Sequence, residues 1–94
     1  MPNRGPWAAG AFATRALTQA AAAELRGEGI HVALLIVDAT IESPKTASMT
    51  QGRAANETAD QAEIARAVEY LANQTERAWT HELVVTPAGD RWLP

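Results

Sequence analysis

The longest uniform pattern along this chain lies in its first third, where small apolar residues dominate. Good helix formers fill nearly every position of the range 7–26, and Pro6 stands where a first-turn proline is tolerated. Gly27 and Gly29 follow, and glycine readily adopts the left-handed backbone that ends a helix. The pattern therefore predicts a long helix over about residues 7–26.

The apolar surface of this predicted helix is unusually wide. When successive residues are spaced by about 100°, the polar residues Arg15, Gln19 and Arg26 fall near one side. The rest of the circumference carries apolar residues, namely Phe12, Ala13, Ala16, Leu17, Ala20 and Ala23. So wide an apolar arc predicts that something outside the helix lies against it.

A continuous apolar run, IHVALLIVD, follows at residues 30–38. Because its branched apolar residues do not alternate with polar ones, it predicts a strand over about residues 30–37 that is covered on both faces, as in a parallel sheet. Residues 38–58 are polar and irregular and include Pro44 and Gly52, which predicts a long loop with a short helical turn around residues 46–51. Loops of this length in compact domains are usually functional or disordered.

Helical spacing returns after the loop. The apolar positions of this segment are Ile64, Ala67, Val68 and Leu71. They predict an amphipathic helix over about residues 61–73. Two capping frames fit its start, Asp60 with Glu63 or Thr58 with Gln61, and the sequence leaves both open.

The last apolar run, HELVVTP, predicts a short strand over about residues 81–86, and Trp92 and Leu93 in the tail are expected to pack against something. The order is helix, strand, loop, helix, strand, which is one crossover unit preceded by a helix. The predicted fold class is α/β, with residues 1–94 forming a single partial domain. Because two parallel strands do not make a stable sheet alone, we expect completion by oligomerisation or by a missing N-terminal half.

Size and charge exclude several classes of partner. A chain of 94 residues buries only about 60–65% of its unfolded surface, so its core is thin. The net charge is −3, from eight Lys and Arg against eleven Asp and Glu, and no basic patch is visible. This argues against nucleic acid and anionic membranes as partners. The alanine-rich run is also too polar to span a bilayer.

The absence of cysteine excludes disulfides and thiolate zinc sites. It fits a reducing compartment, and we expect a cytoplasmic protein. His31 lies in the apolar run and is expected to be structural, while His81 begins a strand with no third ligand at metal spacing, so no metal site is predicted. Trp79 and Trp92 are interpreted as packing anchors.

Two long phrases point to a family. FATRALTQAAAAELRGEGIHVALLIVDATIESPKT resembles the C-terminal half of short-chain dehydrogenase/reductase proteins, in which a long helix with a catalytic Tyr-x-x-x-Lys pair leads into a GI-x-V strand and a cofactor-covering loop. TADQAEIARAVEYLANQTERAWTHELVVTP is similar to the last helix and strand of the same family. The resemblance runs from Pro6 to Pro87 and implies part of a Rossmann-like, doubly wound parallel sheet.

The chain departs from this family at its catalytic positions. The resemblance puts Trp7 where the family has the catalytic Tyr and Ala11 where it has the Lys. An indole N–H does not titrate usefully, and a methyl group carries no charge. The Pro-Gly that usually follows the strand is absent, and no Gly-rich phosphate loop is present. We therefore expect no catalytic residues in this chain.

The resemblance also implies cofactor contacts in the loop DATIESP. By position, the backbone amide of Ile41 and the hydroxyl of Ser43 would meet the nicotinamide carboxamide, with Asp38 at the carboxyl end of the strand. The alternative is that Ser43 and Pro44 form only a turn and that Asp38 only ends the strand. We expect no cofactor for this chain alone, and NAD or NADP for a full-length parent.

Two hypotheses on function remain open. The first is a non-catalytic pseudo-enzyme module that self-associates as a homo-oligomer through the alanine-rich helix and the last strand. Small residues on that helix would let two backbones approach closely. The alternative is the C-terminal part of a genuine NAD(P)-dependent short-chain reductase that acts on a carbonyl or alcohol.

Overall fold

A computed structural model describes residues 4–90, and within this range helices flank a small sheet. The α-helices and strands are α1 (Arg4–Leu25), β1 (Leu34–Val37), α2 (Ala47–Thr50), α3 (Gln61–Ala72) and β2 (Glu82–Val85). Short 3₁₀ helices lie at Arg26–Glu28, Pro44–Thr46 and Ala55–Glu57. Trp92 and Leu93, which were expected to pack, lie outside the described residues.

The two strands run parallel and pair directly, from Leu34 opposite Glu82 to Val37 opposite Val85. The chain between them contains α3, as a parallel connection requires. The predicted α/β class is therefore confirmed at the level of mixed helix and strand with a small parallel sheet.

The connection from α1 to the sheet explains where β1 begins. Gly29 has φ of +77°, and its N–H donates to the carbonyl of Arg26 at 3.1 Å, so it provides the left-handed end predicted for this region. The ladder starts only where the N–H of Leu34 donates to the carbonyl of His81, at 3.0 Å. The strand predicted from residue 30 therefore begins at Leu34, because residues 30–33 have no ladder partner in β2.

The start of α3 uses neither capping frame suggested by the sequence. Asp60 is the N-cap residue but makes no side-chain capping bond. In the other frame, the hydroxyl of Thr58 donates to Glu42 Oε1 at 3.0 Å, and Gln61 Nε2 donates to the Glu42 carbonyl at 2.8 Å. Asp60 therefore holds the predicted N-cap position without the reciprocal capping bonds, and Glu63 pairs with Arg66 instead. The frame of Thr58 with Gln61 was wrong, because Glu42 of the long loop engages both side chains.

The two faces of the sheet meet different helices. Side chains alternate along each strand, so Glu82 and Val84 share a face with Leu34 and Ile36. Arg15 of α1 reaches Glu82, which puts α1 on this face. On the other face, Val85 and Ile64 of α3 border the same groove. The sheet therefore lies between α1 and α3.

The core of the described residues is small. Its buried residues are Ala22, Thr58, Ala59 and Leu71, and no large side chain is fully buried there. The chain exposes 7084 Å², whereas a compact monomer of 10.0 kDa exposes about 5,200 Å². Its Cα radius of gyration is 15.5 Å, against about 12 Å for a compact domain of this length. The excess surface is large for a chain of this size.

Candidate functional site

The outward side of α1 exposes a row of apolar residues. We call it the alanine face and define it as Phe12, Ala13, Ala16, Leu17, Ala20 and Ala23. All six residues are exposed, and the exposed fractions reach 65% for Phe12 and 72% for Leu17. Glu24, which is also exposed, lies on the same side of the helix near its C-terminal end. This is the arc that the sequence analysis singled out, and no described residue of the same chain buries it.

The opposite side of α1 faces the sheet. Thr18 and Leu25 are half-buried there and Ala22 is buried. Trp7 and Ala11 lie along the same side of the helix, yet both are exposed, Trp7 to 64%. The first turns of α1 therefore project past the part of the helix that contacts the sheet, and the two positions that the resemblance makes catalytic carry an indole and a methyl group at an open surface.

Polar contacts to a single carboxylate, Glu82, join α1 to the sheet, and they were not predicted from the sequence. Arg15 Nε donates to Glu82 Oε1 at 2.7 Å and Arg15 Nη2 donates to Glu82 Oε2 at 3.0 Å. Gln19, one turn further along, lies 3.5 Å from Glu82 Oε1 through its Nε2. The signal was present in the sequence, since Glu82 is a carboxylate in an apolar strand and Arg15 is a cation within an alanine-rich helix.

This ion pair changes the acidity of both partners. The hydrogen bond from Arg15 lowers the pKa of Glu82 below its usual value, and burial acts in the opposite direction. The same hydrogen bond raises the pKa of Arg15. Both side chains are partly exposed, so solvent screens the attraction. The geometry is nevertheless the bidentate fork that fixes direction as well as distance.

The residues proposed for cofactor contact follow β1 but do not converge on one cavity. The N–H of Asp38 donates to the Val85 carbonyl at 3.0 Å, which extends the ladder, and its side chain is exposed. Ile41 forms an isolated parallel bridge with Ala59, flanked by bonds of 2.9 and 2.8 Å on either side. No described residue accepts a hydrogen bond from the Ile41 N–H, so that donor remains open at the loop edge.

Ser43 holds the loop together. Its hydroxyl accepts from the N–H of Thr46 at 3.3 Å, and its own N–H donates to Thr46 Oγ1 at 3.0 Å. Thr46 Oγ1 also donates to the Ile41 carbonyl at 2.5 Å. These reciprocal bonds cap the 3₁₀ helix at Pro44–Thr46. The hydroxyl expected to meet a cofactor is therefore engaged within its own loop.

A groove of about 400 Å³ lies at the carboxyl end of β2, beside the start of α3. Its walls include Ala59, Asp60, Ile64, Val85 and Pro87, and none of its lining residues is basic. Asp38, Ile41 and Ser43 are not among these residues. A dinucleotide carries phosphates that need cations or a helix N-terminus free of carboxylates, and the acidic Asp60 and Glu63 disfavour them here.

The amino ends of the strands are closed by a histidine and a tryptophan. The rings of His31 and Trp79 stack with centroids 4.9 Å apart and an interplanar angle of 6°. His31 Nε2 hydrogen-bonds the Thr80 carbonyl at 2.8 Å, and Gln74 holds Thr80 from the other side. His31 and Trp79 thus pack as structural residues, and the space beside them, about 30 Å³, admits little more than one water molecule.

The described helices include none that is both long and apolar enough to cross a membrane. Comparison of the chain with protein-family models, with curated proteins and with solved structures gives no match.

Proposed function

We propose that this chain is a non-catalytic, self-associating module built on part of a Rossmann-like, doubly wound fold, similar to the C-terminal half of short-chain dehydrogenase/reductase proteins. The single observation that carries the proposal is the exposed alanine face of α1. Two further features support it, namely the excess surface of the chain and the composition of the two catalytic positions.

The excess surface supports association quantitatively. The chain exposes about 1,800 Å² more than a compact monomer of 10.0 kDa. A stable protein–protein interface of standard size takes about 800 Å² from each partner. The surplus therefore exceeds what one chain contributes to such an interface, and the alanine face of α1 is uncovered.

A second copy of the same chain fits the alanine face in shape and charge. Alanine lets two helix backbones approach closely, and Phe12 and Leu17 on either flank provide large apolar side chains to pack over the partner's alanines. Glu24 is the charged residue on this side of α1, and because it lies near the C-terminal end of the face, an antiparallel pairing keeps the carboxylates of the two copies at opposite ends of the contact. In a twofold dimer each copy presents the same patch to the other, and this patch is suited to that arrangement.

The last strand offers a second surface for association. Ladder bonds toward β1 alternate with groups that point away from it, so the outer edge of β2 leaves backbone donors and acceptors of Glu82 and Val84 without a strand partner in the two-stranded sheet. Open edges of this kind pair with other strands. Extension of the sheet across two copies would complete the doubly wound arrangement.

The residues at the catalytic positions support a non-catalytic role. Trp7 and Ala11 offer neither a titrating hydroxyl nor a cation to lower its pKa. Hydride transfer in the resembled family needs a proton donor at the first position, and the exposed indole of Trp7 does not supply one.

The alternative is the C-terminal part of a genuine NAD(P)-dependent reductase that acts on a carbonyl or alcohol. The open N–H of Ile41, at the carboxyl end of a parallel strand, favours it, because such amides bind cofactors in doubly wound folds. Titration of this chain with NADH or NADPH, followed by tryptophan fluorescence, tests whether the chain binds a cofactor without an N-terminal half. We expect no saturable change, and a saturable micromolar response would favour the reductase.

Sedimentation equilibrium at micromolar concentrations tests self-association directly. We expect a dimer or larger species, and Ala16→Glu or Ala20→Glu should dissociate it because each puts a charge into the apolar contact. Ala62→Glu is the matched control, since Ala62 is an exposed alanine in the first turn of α3, where a carboxylate is well tolerated. A monomeric wild-type chain, or dissociation by all three variants alike, would contradict the proposal.

A further inference from the structure

The side of α1 that faces the sheet is not chosen by hydrophobicity. Toward the sheet the helix presents Thr18, Ala22 and Leu25, and away from it the alanine face presents four alanines with Phe12 and Leu17. The alanine face is the more apolar of the two sides, although Glu24 lies on the same side and would turn inward with it. Apolar burial alone therefore does not specify the observed facing.

The Arg15–Glu82 ion pair distinguishes the two apolar sides of α1, because only the observed orientation forms it. Its two parallel bonds, 2.7 and 3.0 Å long, hold the guanidinium in one plane and one direction. Gln19 approaches the same carboxylate from the next turn of the helix, so two points on one side of α1 meet Glu82. The other side-chain hydrogen bonds of α1 among the described residues, from Thr14 and Thr18, stay within the helix and carry no information about its rotation.

We infer that Arg15 and Glu82 are positioning residues that fix the rotation of α1 and so keep the alanine face turned outward for a second copy of the chain. The inference rests on the proposed self-association and adds that the ion pair keeps the alanine face available for it. When the pair is lost, α1 is free to turn its alanine face onto the sheet. That rotation buries the docking surface inside the monomer, and assembly weakens although neither Arg15 nor Glu82 lies on the alanine face.

The rotation can be measured with thiols, because the chain has no cysteine of its own. Ala20→Cys places a thiol on the exposed alanine face, and Ala22→Cys places one on the buried side of the same helix, where only 9% of Ala22 is exposed. The reaction rate of each thiol with a disulfide reagent is measured at a dilution where the chain is monomeric. In the otherwise unchanged chain we expect the residue-20 thiol to react much faster than the residue-22 thiol.

The same two reporters are then combined with Glu82→Gln, which keeps the size of the side chain and removes its charge. We expect the ratio of the two rates to fall severalfold, with slower reaction at residue 20 and faster reaction at residue 22. The reversed pair, Arg15→Glu with Glu82→Arg, should restore the ratio. Arg66→Gln is the control, since it removes an exposed ion pair on α3 that has no contact with α1.

The dimer dissociation constant of the cysteine-free variants completes the test. We expect Glu82→Gln to raise it severalfold, the reversed pair to restore it, and Arg66→Gln to leave it unchanged. An unchanged ratio of thiol rates in Glu82→Gln would overturn the inference, and so would faster reaction at both positions, which means detachment rather than rotation. A wild-type chain that stays monomeric overturns the proposed self-association instead, while the thiol ratio still decides whether the pair sets the facing of α1.

Discussion

The two long helices, α1 and α3, are oriented against the sheet by different interactions. Along α3, apolar side chains recur on one side, where Leu71 is buried and Ile64 and Ala67 are half-buried. Its other sides carry charged residues such as Glu63 and Arg66, which form an exposed ion pair. The sequence pattern of α3 therefore indicates which side of the helix meets the sheet. The helix needs no specific polar contact to orient it.

Helix α1 has no such pattern. Small apolar residues lie on most of its circumference, only Ala22 on it is buried, and an ion pair to Glu82 provides its polar contact with the sheet. A helix whose sides are nearly equivalent in hydrophobicity is oriented by the few polar groups it carries and is free to use a second apolar side elsewhere. The difference between the helices is thus a difference between packing within the chain and packing between chains.

The largest expected difference between the helices appears when one leucine on each is truncated to alanine. Leu71→Ala should lower the free energy of unfolding by at least about 2 kcal/mol, because it removes a buried side chain from a small core. Leu17→Ala should change it by less than about 0.5 kcal/mol in the monomer, since the side chain is already in water. Urea denaturation at a fixed, dilute concentration measures both, and equal losses would break the distinction between the helices.

Gly10 and Gly89 allow a second comparison, between a residue with open space around it and one packed against a neighbouring loop. A Cβ on Gly89 would lie 2.7 Å from Asn56 Oδ1 and 2.9 Å from the Asn56 carbonyl oxygen, whereas nothing lies within 4 Å of a Cβ on Gly10 in α1. Gly89→Ala should therefore cost about 1–2 kcal/mol, because it pushes the C-terminal segment away from the loop that leads into α3.

Gly10→Ala serves as the opposite case, and we expect it to stabilise the chain by about 0.5–1 kcal/mol by reducing the entropy lost on forming the helix. Both variants are compared by thermal and urea unfolding under the same conditions. Destabilisation by Gly10→Ala would mean that α1 packs more closely than its exposure indicates.

The contrast between the helices also explains what the sequence could predict. The order of elements and the sheet-facing side of α3 follow from residue spacing, and the left-handed end near Gly29 follows from glycine chemistry. The contact of Arg15 with Glu82 joins residues far apart in the sequence, so their apolar surroundings mark each residue but no local pattern pairs the two. The same limit applies to the start of α3, where Glu42 of the long loop takes the side chains of Thr58 and Gln61.

The loop that holds the proposed cofactor residues was predictable in position but not in detail. Asp38, Ile41 and Ser43 do follow the carboxyl end of β1, as expected for a loop after a parallel strand. Their partners were not predictable, because Ser43 is engaged by Thr46 three residues away and Ile41 pairs with Ala59 across the loop. Both contacts depend on how a polar, irregular segment folds back on itself, and its composition does not encode that path.

Acid should affect α1 before α3, because protonation of Glu82 removes the ion pair that holds α1 to the sheet. Its pKa is lowered in the folded chain by the hydrogen bond from Arg15, so its contribution to stability is complete above the ordinary carboxyl pKa of about 4.3 and is lost as the pH falls through the lower folded-state value. The other groups that bear on Glu82 are Gln19 of α1 and the neighbouring His81, both of which lower its pKa further. Arg15 stays protonated throughout this range, because a guanidinium keeps its charge at any acidic pH.

Hydrogen exchange measured from pH 6 down to pH 3, corrected for intrinsic rates, should therefore show α1 losing protection before α3 does. In Glu82→Gln the early loss should disappear, because the variant has no carboxylate to titrate at this position. Simultaneous loss in both helices would indicate that acid acts through the whole fold rather than through this pair.

The smallest expected effect comes from the ion pair of Glu63 with Arg66, which lies within α3. Their side chains are 65% and 64% exposed, whereas those of Glu82 and Arg15 are 24% and 43% exposed, and the α3 pair lies within one turn of a helix that its apolar side already orients. Arg66→Gln should change the free energy of unfolding by less than about 0.5 kcal/mol, as is usual for exposed pairs at this spacing. It should also leave protection of the α3 amides unchanged in hydrogen exchange at neutral pH. If Arg66→Gln changed the facing of α3 as much as Glu82→Gln changes the facing of α1, the ion pairs would orient both helices alike. The distinction between orientation by pattern in α3 and by an ion pair in α1 would then be lost.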